Sequence, residues 1–120
     1  MDLTSSFKFE DNKLNRKLIE LVKKSRIEHF IDKDGMVHYS PDEEEIMENN
    51  LICSIRDQVF SPWQVLTCPN DWIETYKHYM SQHAIPYKEE LVNNQLWFLL
   101  PGKLRPHSWK LDKETVSRSR

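Results

Sequence analysis

Cys68 is the residue best placed to do chemistry. It stands in QVLTCPND, between an apolar run that reads as a strand and Pro69, a residue that suits the first position of a helix. A thiol there would meet free N–H groups and the positive end of the helix dipole, which favour thiolate. A second constellation is acidic. Asp42, Glu43, Glu44, Glu45 and Glu48 open the predicted second helix with no cation among them. They complement the helix dipole, and they would also make an acidic docking face for a basic partner. A solvated helix start lacks the burial and neighbours that split the pKa values of catalytic carboxylates. The third group, Arg105, His107 and Lys110 in KLRPHSWKL, is a candidate for anion binding. The five histidines (29, 38, 78, 83, 107) show no zinc-peptidase spacing. His29 and His38 could approach across a hairpin, but zinc takes at least three protein ligands. No metal and no cofactor are expected, and no catalytic triad can be picked out.

Residues 65–90, VLTCPNDWIETYKHYMSQHAIPYKEE, resemble the opening strand–helix–strand of glutaredoxins, through the Cys-Pro start and the Ile-Pro-Tyr that begins the next strand. The resemblance implies Cys68 as nucleophile and thiol-transfer or redox chemistry. It covers 26 of 120 residues, and position 71 holds Asp71 where a second cysteine would stand.

The elements that must position these groups can be placed by periodicity. Residues 1–10 read as a flexible N-terminal arm, which Phe7 and Phe9 could anchor. Asp11 or Asn12 caps a first helix whose Leu14, Leu18, Leu21 and Val22 share one face. Lys13, Arg16, Lys17, Lys23 and Lys24 cover its remaining surface. Residues 27–32 and 36–40 form a hairpin through Lys33-Asp34-Gly35, where glycine supplies positive φ. Ser40 and Glu43 fit a capping box for the second helix, with Met47, Leu51, Ile55 and Val59 buried and Ile52 alongside. Residues 63–68 make an apolar strand. A helix from about Pro69 to His83 follows, carrying an aromatic stripe of Trp72, Tyr76 and Tyr79 with Met80 and His83. Residues 85–91 and 95–100 pair through Val92-Asn93-Asn94. Serine–proline at 40–41 and cysteine–proline at 68–69 thus each send a strand directly into a helix. The expected fold is one small α+β domain over 11–112, ordered α-β-β-α-β-α-β-β. Its five-stranded mixed sheet would hold strands 36–40, 63–68 and 85–91 parallel. Residues 113–120 read as a disordered basic tail.

Composition bounds the function. The chain has 120 residues, a net charge of −2, and four Trp, four Tyr and five Phe, which suits one folded domain. Two glycines leave no room for a glycine-rich phosphate loop. Two cysteines point to a reducing compartment, and no leader or membrane-length apolar run is visible, so a cytoplasmic protein is expected. Residues 101–120 carry a net +4, leaving −6 on residues 1–100. The favoured expectation is a non-catalytic binding module, an immunity- or antitoxin-type inhibitor of a basic partner protein, acting through Asp42–Glu48. A thiol enzyme using Cys68, and a nucleic-acid-associated regulator using the basic C-terminal segment, are the alternatives. Oligomeric state is not encoded in any recognisable pattern.

Overall fold

The N-terminal segment expected to be a loose arm is a strand in the interior of the sheet. The structure, a computed structural model, describes residues 2–102 and the backbone of residues 117–119. In β1 (Ser5–Phe9) the side chains of Phe7 and Phe9 have no exposed surface, and their rings meet edge to face at 4.9 Å. Burying each contributes roughly 1.5–3 kcal/mol, which is enough to order a short segment. The other elements are α1 (Asn12–Ser25), β2 (His29–Ile31), β3 (Val37–Tyr39), α2 (residues 41–59), β4 (Trp63–Thr67), α3 (residues 70–82), β5 (Lys88–Val92) and β6 (Gln95–Pro101). A short strand, β7 (Ser117–Ser119), pairs with β4, so part of the expected disordered tail is in the sheet. Residues 113–116 and 120 lie outside the described residues.

The strand order is β2-β3-β1-β5-β6-β4-β7, and every neighbouring pair is antiparallel. This corrects the five-stranded mixed sheet. The strands β3, β4 and β5 do run the same way, as expected, but they never touch. β1 lies between β3 and β5, with Ser5 opposite Tyr39 and Phe9 opposite Glu90. β6 lies between β5 and β4, with Glu90 opposite Trp97 and Leu99 opposite Val65. Once β1 supplies a partner for both β3 and β5, no parallel ladder is needed to satisfy their backbone groups.

Both faces of the sheet are covered by helices. Phe7, Phe9, Val37 and Tyr39 meet Leu14, Leu18 and Val22 of α1 and Met47, Leu51, Ile52 and Ile55 of α2. Val65 and Leu99 continue that face against Cys53 of α2. Side chains alternate along a strand, so Leu66 and Phe98 point the other way, where Tyr76 and Met80 of α3 cover them. Of the aromatic stripe expected on this helix, Tyr76 and Met80 are core, Trp72 and Tyr79 pack half-buried against them, and His83 is exposed.

Local chemistry explains the element ends. Asp11 caps α1, its Oδ1 accepting from the N–H groups of Lys13 and Leu14 at 2.9 and 3.1 Å. Asn15 is buried and ties β1 to the β2–β3 turn: its Oδ1 accepts from Phe9 N–H at 3.0 Å and its Nδ2 donates to the Gly35 carbonyl at 2.8 Å. Gly35 has φ +85°, and a Cβ there would meet Asn15 Nδ2 at 3.0 Å, so both the turn and the contact select glycine. Asn93 and Asn94 have φ 52° and 68°, as a two-residue primed turn requires. Asn93 also exchanges hydrogen bonds with Ser6, each 2.9 Å, fixing the hairpin to β1.

If β1 is an interior strand, Phe9→Ala leaves a cavity beneath α1 and costs about 3–5 kcal/mol in urea denaturation. A loose arm would lose almost nothing from the same change.

Candidate functional site

The acidic residues expected to act together are brought together. Asp42, Glu44, Glu45 and Glu48 line an open cleft of about 460 Å³ with Tyr39, Pro41, Asn49, Val92 and Trp97. Glu43 is not among its lining residues. The cleft lies where the first half of α2 passes over β3, β5 and β6.

How α2 reaches this position follows from its start and its middle. Ser40 caps it, Oγ accepting from Asp42 N–H at 3.2 Å, and Pro41 takes the first helical position. The first turn, Pro41–Glu43, is a 3₁₀ turn closed by Glu43 N–H on the Ser40 carbonyl at 2.9 Å. The cap therefore serves Asp42 and not residue 43, as the expected capping box would. Met47–Ile52 is then a π-helical segment, with Cys53 N–H donating to the Glu48 carbonyl five residues back. A π turn absorbs one extra residue, so Glu48 and Arg56 are separated by about seven α-helical steps, close to two full turns, and face the same way.

That alignment completes a buried charge network. The Arg56 side chain has no exposed surface. Its Nε and Nη2 donate to the two oxygens of Glu90 at 2.9 and 2.7 Å, and Nη1 donates to Glu48 at 2.7 Å. The guanidinium also lies over the Trp63 ring at 4.9 Å and 5.8 Å from the Phe7 centroid. Burial alone would lower the Arg56 pKa, but Glu90 and Glu48 outweigh it and hold the group firmly charged. Burial pushes Glu90 above the ordinary carboxylate range, against the pull of Arg56. We hold the pair to be ionic, because two short bonds in a fork match a carboxylate to a guanidinium. Glu48 is thus committed partly to Arg56, whereas Asp42, Glu44 and Glu45 have no ion-pair partner among the described residues.

Tyr39 forms part of the cleft wall. It is 2% exposed, and burial, followed by the charges of Glu44 and Glu48, raises its phenol pKa well above the usual value. Tyr39, Trp97 and Glu90 carry no signal that singles them out, because each alternates normally along its strand. Arg56 did leave a signal: it stands four residues after Ile52 and three before Val59, inside the apolar stripe.

The other candidates fare differently. Cys68 follows β4, but Pro69 is the residue before the first turn of α3 and not its first member, so the helix begins one step later than the 68–69 pattern predicts. The thiol has no exposed surface, points its hydrogen at the Pro69 carbonyl at 3.3 Å, and is pushed up to about 11 by burial. This is opposite to the lowering that thiolate chemistry requires. Cys53 and Cys68 are both free and buried. His29 and His38 lie on opposite faces of their hairpin, since His29 pairs with Tyr39 and His38 with Phe30. His38 Nε2 meets Asp32 Oδ2 at 2.9 Å, and Asp32 also receives the N–H groups of Asp34 and Met36. That contact, foremost, holds the Asp32 carboxyl below its usual range. No three His, Cys, Asp or Glu side chains among the described residues are grouped to hold a metal ion. Arg105, His107 and Lys110 lie outside the described residues.

Arg56→Met strands the buried Glu90 charge and is expected to cost about 3–5 kcal/mol in urea denaturation. Adding Glu90→Leu should recover most of that loss, because an apolar pair needs no compensation. A double variant as unstable as the single one would contradict this reading.

Compared with models of known protein families, with curated proteins and with solved structures, the chain matches none.

Proposed function

We propose that this domain is a small cytoplasmic, non-catalytic binding module that holds a basic partner protein, in the manner of an immunity- or antitoxin-type inhibitor. The observation that carries the reading is the convergence of Asp42, Glu44, Glu45 and Glu48 around one open cleft bordered by Tyr39 and Trp97. Only Glu48 of these four is neutralised by a described cation, Arg56. The cleft therefore presents a concentrated negative field on a domain whose residues 1–100 already carry −6. Such a field speeds encounter with a positive surface and disfavours acidic partners. Helices and sheet hold the cleft on regular backbone, which suits recognition without large rearrangement. No described helix is long and apolar enough to cross a membrane. The thiol reading loses its footing in the burial of Cys68.

The double variant Glu44→Lys, Glu45→Lys tests the proposal, because both side chains are exposed and unpaired among the described residues. A pull-down from the native cytoplasm should retain a protein of basic pI on the wild-type chain and lose it on the variant. Stopped-flow association with that protein should slow about tenfold or more at low salt, with a flatter salt dependence. Equal recovery and equal rates on both chains would reject the acidic face as the docking surface.

A further inference from the structure

The sheet ends on one side at β2, and that edge is open among the described residues. Hydrogen bonds on both sides of β3 show which backbone groups the edge presents. Asp32 N–H donates to the Met36 carbonyl at 3.1 Å, so Asp32 faces β3. Backbone direction alternates along a strand, so Phe30 also faces β3, and the N–H and C=O groups of His29 and Ile31 point away from the sheet. The far side agrees. Ser6 turns its backbone to Asn93, so Ser5 and Phe7 turn theirs to Tyr39 and Val37, and these two therefore face away from His29 and Ile31. Two donors and two acceptors are left at the edge. Edge strands are usually blunted by proline, lysine or a bulge. Residues 27–32 contain neither proline nor lysine, and the β2–β3 register runs without a bulge. Phe30, on this strand, is 57% exposed although its ring centroid lies 5.8 Å from that of His38.

We propose that β2 takes up an extended segment of a partner protein as an additional antiparallel strand, and that this segment carries a basic, an apolar and a basic residue at alternate positions. Unpaired backbone at a sheet edge selects an extended chain, which can satisfy its donors and acceptors in a row. The side chains follow from what shares a face with Phe30. Exposure alternates from buried Ile27 through exposed Glu28 and half-buried His29 to exposed Phe30, which puts Glu28 on the same side as Phe30. Asp32 is on that side too, since its Oδ2 meets Nε2 of His38, the residue opposite Phe30. The added strand therefore meets carboxylate, phenyl and carboxylate in turn, and an apolar residue between two cations complements that row. The same row argues against a second copy of this chain. Joining the outward groups of His29 and Ile31 to those of another copy sets Phe30 opposite Phe30 and Glu28 opposite Asp32, and like charges directly opposite each other oppose pairing. None of residues 28–32 lines the acidic cleft, so either surface can fail without the other.

The test titrates the ¹⁵N-labelled full chain with three capped peptides: Ac-Lys-Thr-Val-Thr-Lys-NH2, its charge-reversed form Ac-Glu-Thr-Val-Thr-Glu-NH2, and the lysine peptide N-methylated at both threonines. The lysine peptide should shift the His29 and Ile31 amide protons downfield and slow their exchange with solvent. The two controls should bind about tenfold more weakly, one through its charge and one through loss of the two N–H groups that face β2. Glu28→Lys and Phe30→Ala, both at exposed positions, should each weaken binding of the lysine peptide about fivefold while leaving the chain folded. Equal binding of either control would overturn the proposal. Shifts centred on residues 42–49 would overturn it by placing the peptide in the acidic cleft. Shifts at His29 and Ile31 that grow with protein concentration and need no peptide would show a second copy at the edge, which also contradicts it. No effect of the lysine peptide on these two amides would reject the edge as a docking site and leave the acidic cleft untouched.

Discussion

One guanidinium holds this fold in register. Arg56 arises from α2, grips both oxygens of Glu90 on β5, lies over Trp63 of β4 and close to Phe7 of β1, and reaches back to Glu48 on its own helix. A charge taken fully out of water is costly unless it is paired and hydrogen-bonded. Every donor in this group must therefore be placed, and placing them fixes the height and rotation of α2 over the sheet. The hydrophobic surfaces of α2 and β1 would tolerate a small slide, because apolar attraction has no direction. The forked bond to Glu90 would not.

The acidic cleft is a consequence of that constraint. For Glu48 to meet Arg56, the helix absorbs an extra residue at Met47–Ile52, and the first turns are then carried over Tyr39, Val92 and Trp97. Asp42, Glu44 and Glu45 line the cleft with no ion-pair partner among the described residues, alongside Glu48. Like charges so close to one another oppose folding, and their stabilising contact with the helix start is modest. The buried pair below supplies rigidity to a site that would otherwise splay. A stiff arrangement of carboxylates beside the buried Tyr39 is a poor device for stability and a reasonable one for binding, a trade seen where activity and stability compete.

Much of the fold was legible because its signals are local. Asp11 as a cap, Asp34-Gly35 and Asn93-Asn94 as turns, and the stripes of α1 and α3 each rest on chemistry within a few residues. The strand directions of β3, β4 and β5 also followed, because two helical connections return the chain the same way. What failed was non-local. Ser5–Phe9 shows barely two turns of alternation, and its two serines hide a strand whose order comes from partners at Tyr39 and Glu90, far along the chain. Without β1 the sheet could only be drawn with parallel neighbours. The acidic constellation was visible as composition, but its meaning depended on Arg56, Tyr39 and Trp97, which come from three other points in the sequence. Cys68 misled for a related reason. A cysteine before a proline looks activated when the helix is considered alone, and only the layer of Tyr76, Met80 and Phe98 over it shows that the thiol is shut away from water.

Arg56 sets the path of α2 through its bonds to Glu90 and Glu48. The through-hydrogen-bond NMR coupling of the Cys53 amide reports that path, since it identifies the carbonyl that accepts from it. In the wild-type chain it should connect Cys53 to Glu48, five residues back. In the folded Arg56→Met, Glu90→Leu chain, with nothing left to align Glu48, it should move to Asn49, as in an ordinary α-helix. A coupling that stays with Glu48 after both charges are gone would show that the π turn is set by apolar packing, and that the buried pair follows the helix instead of directing it.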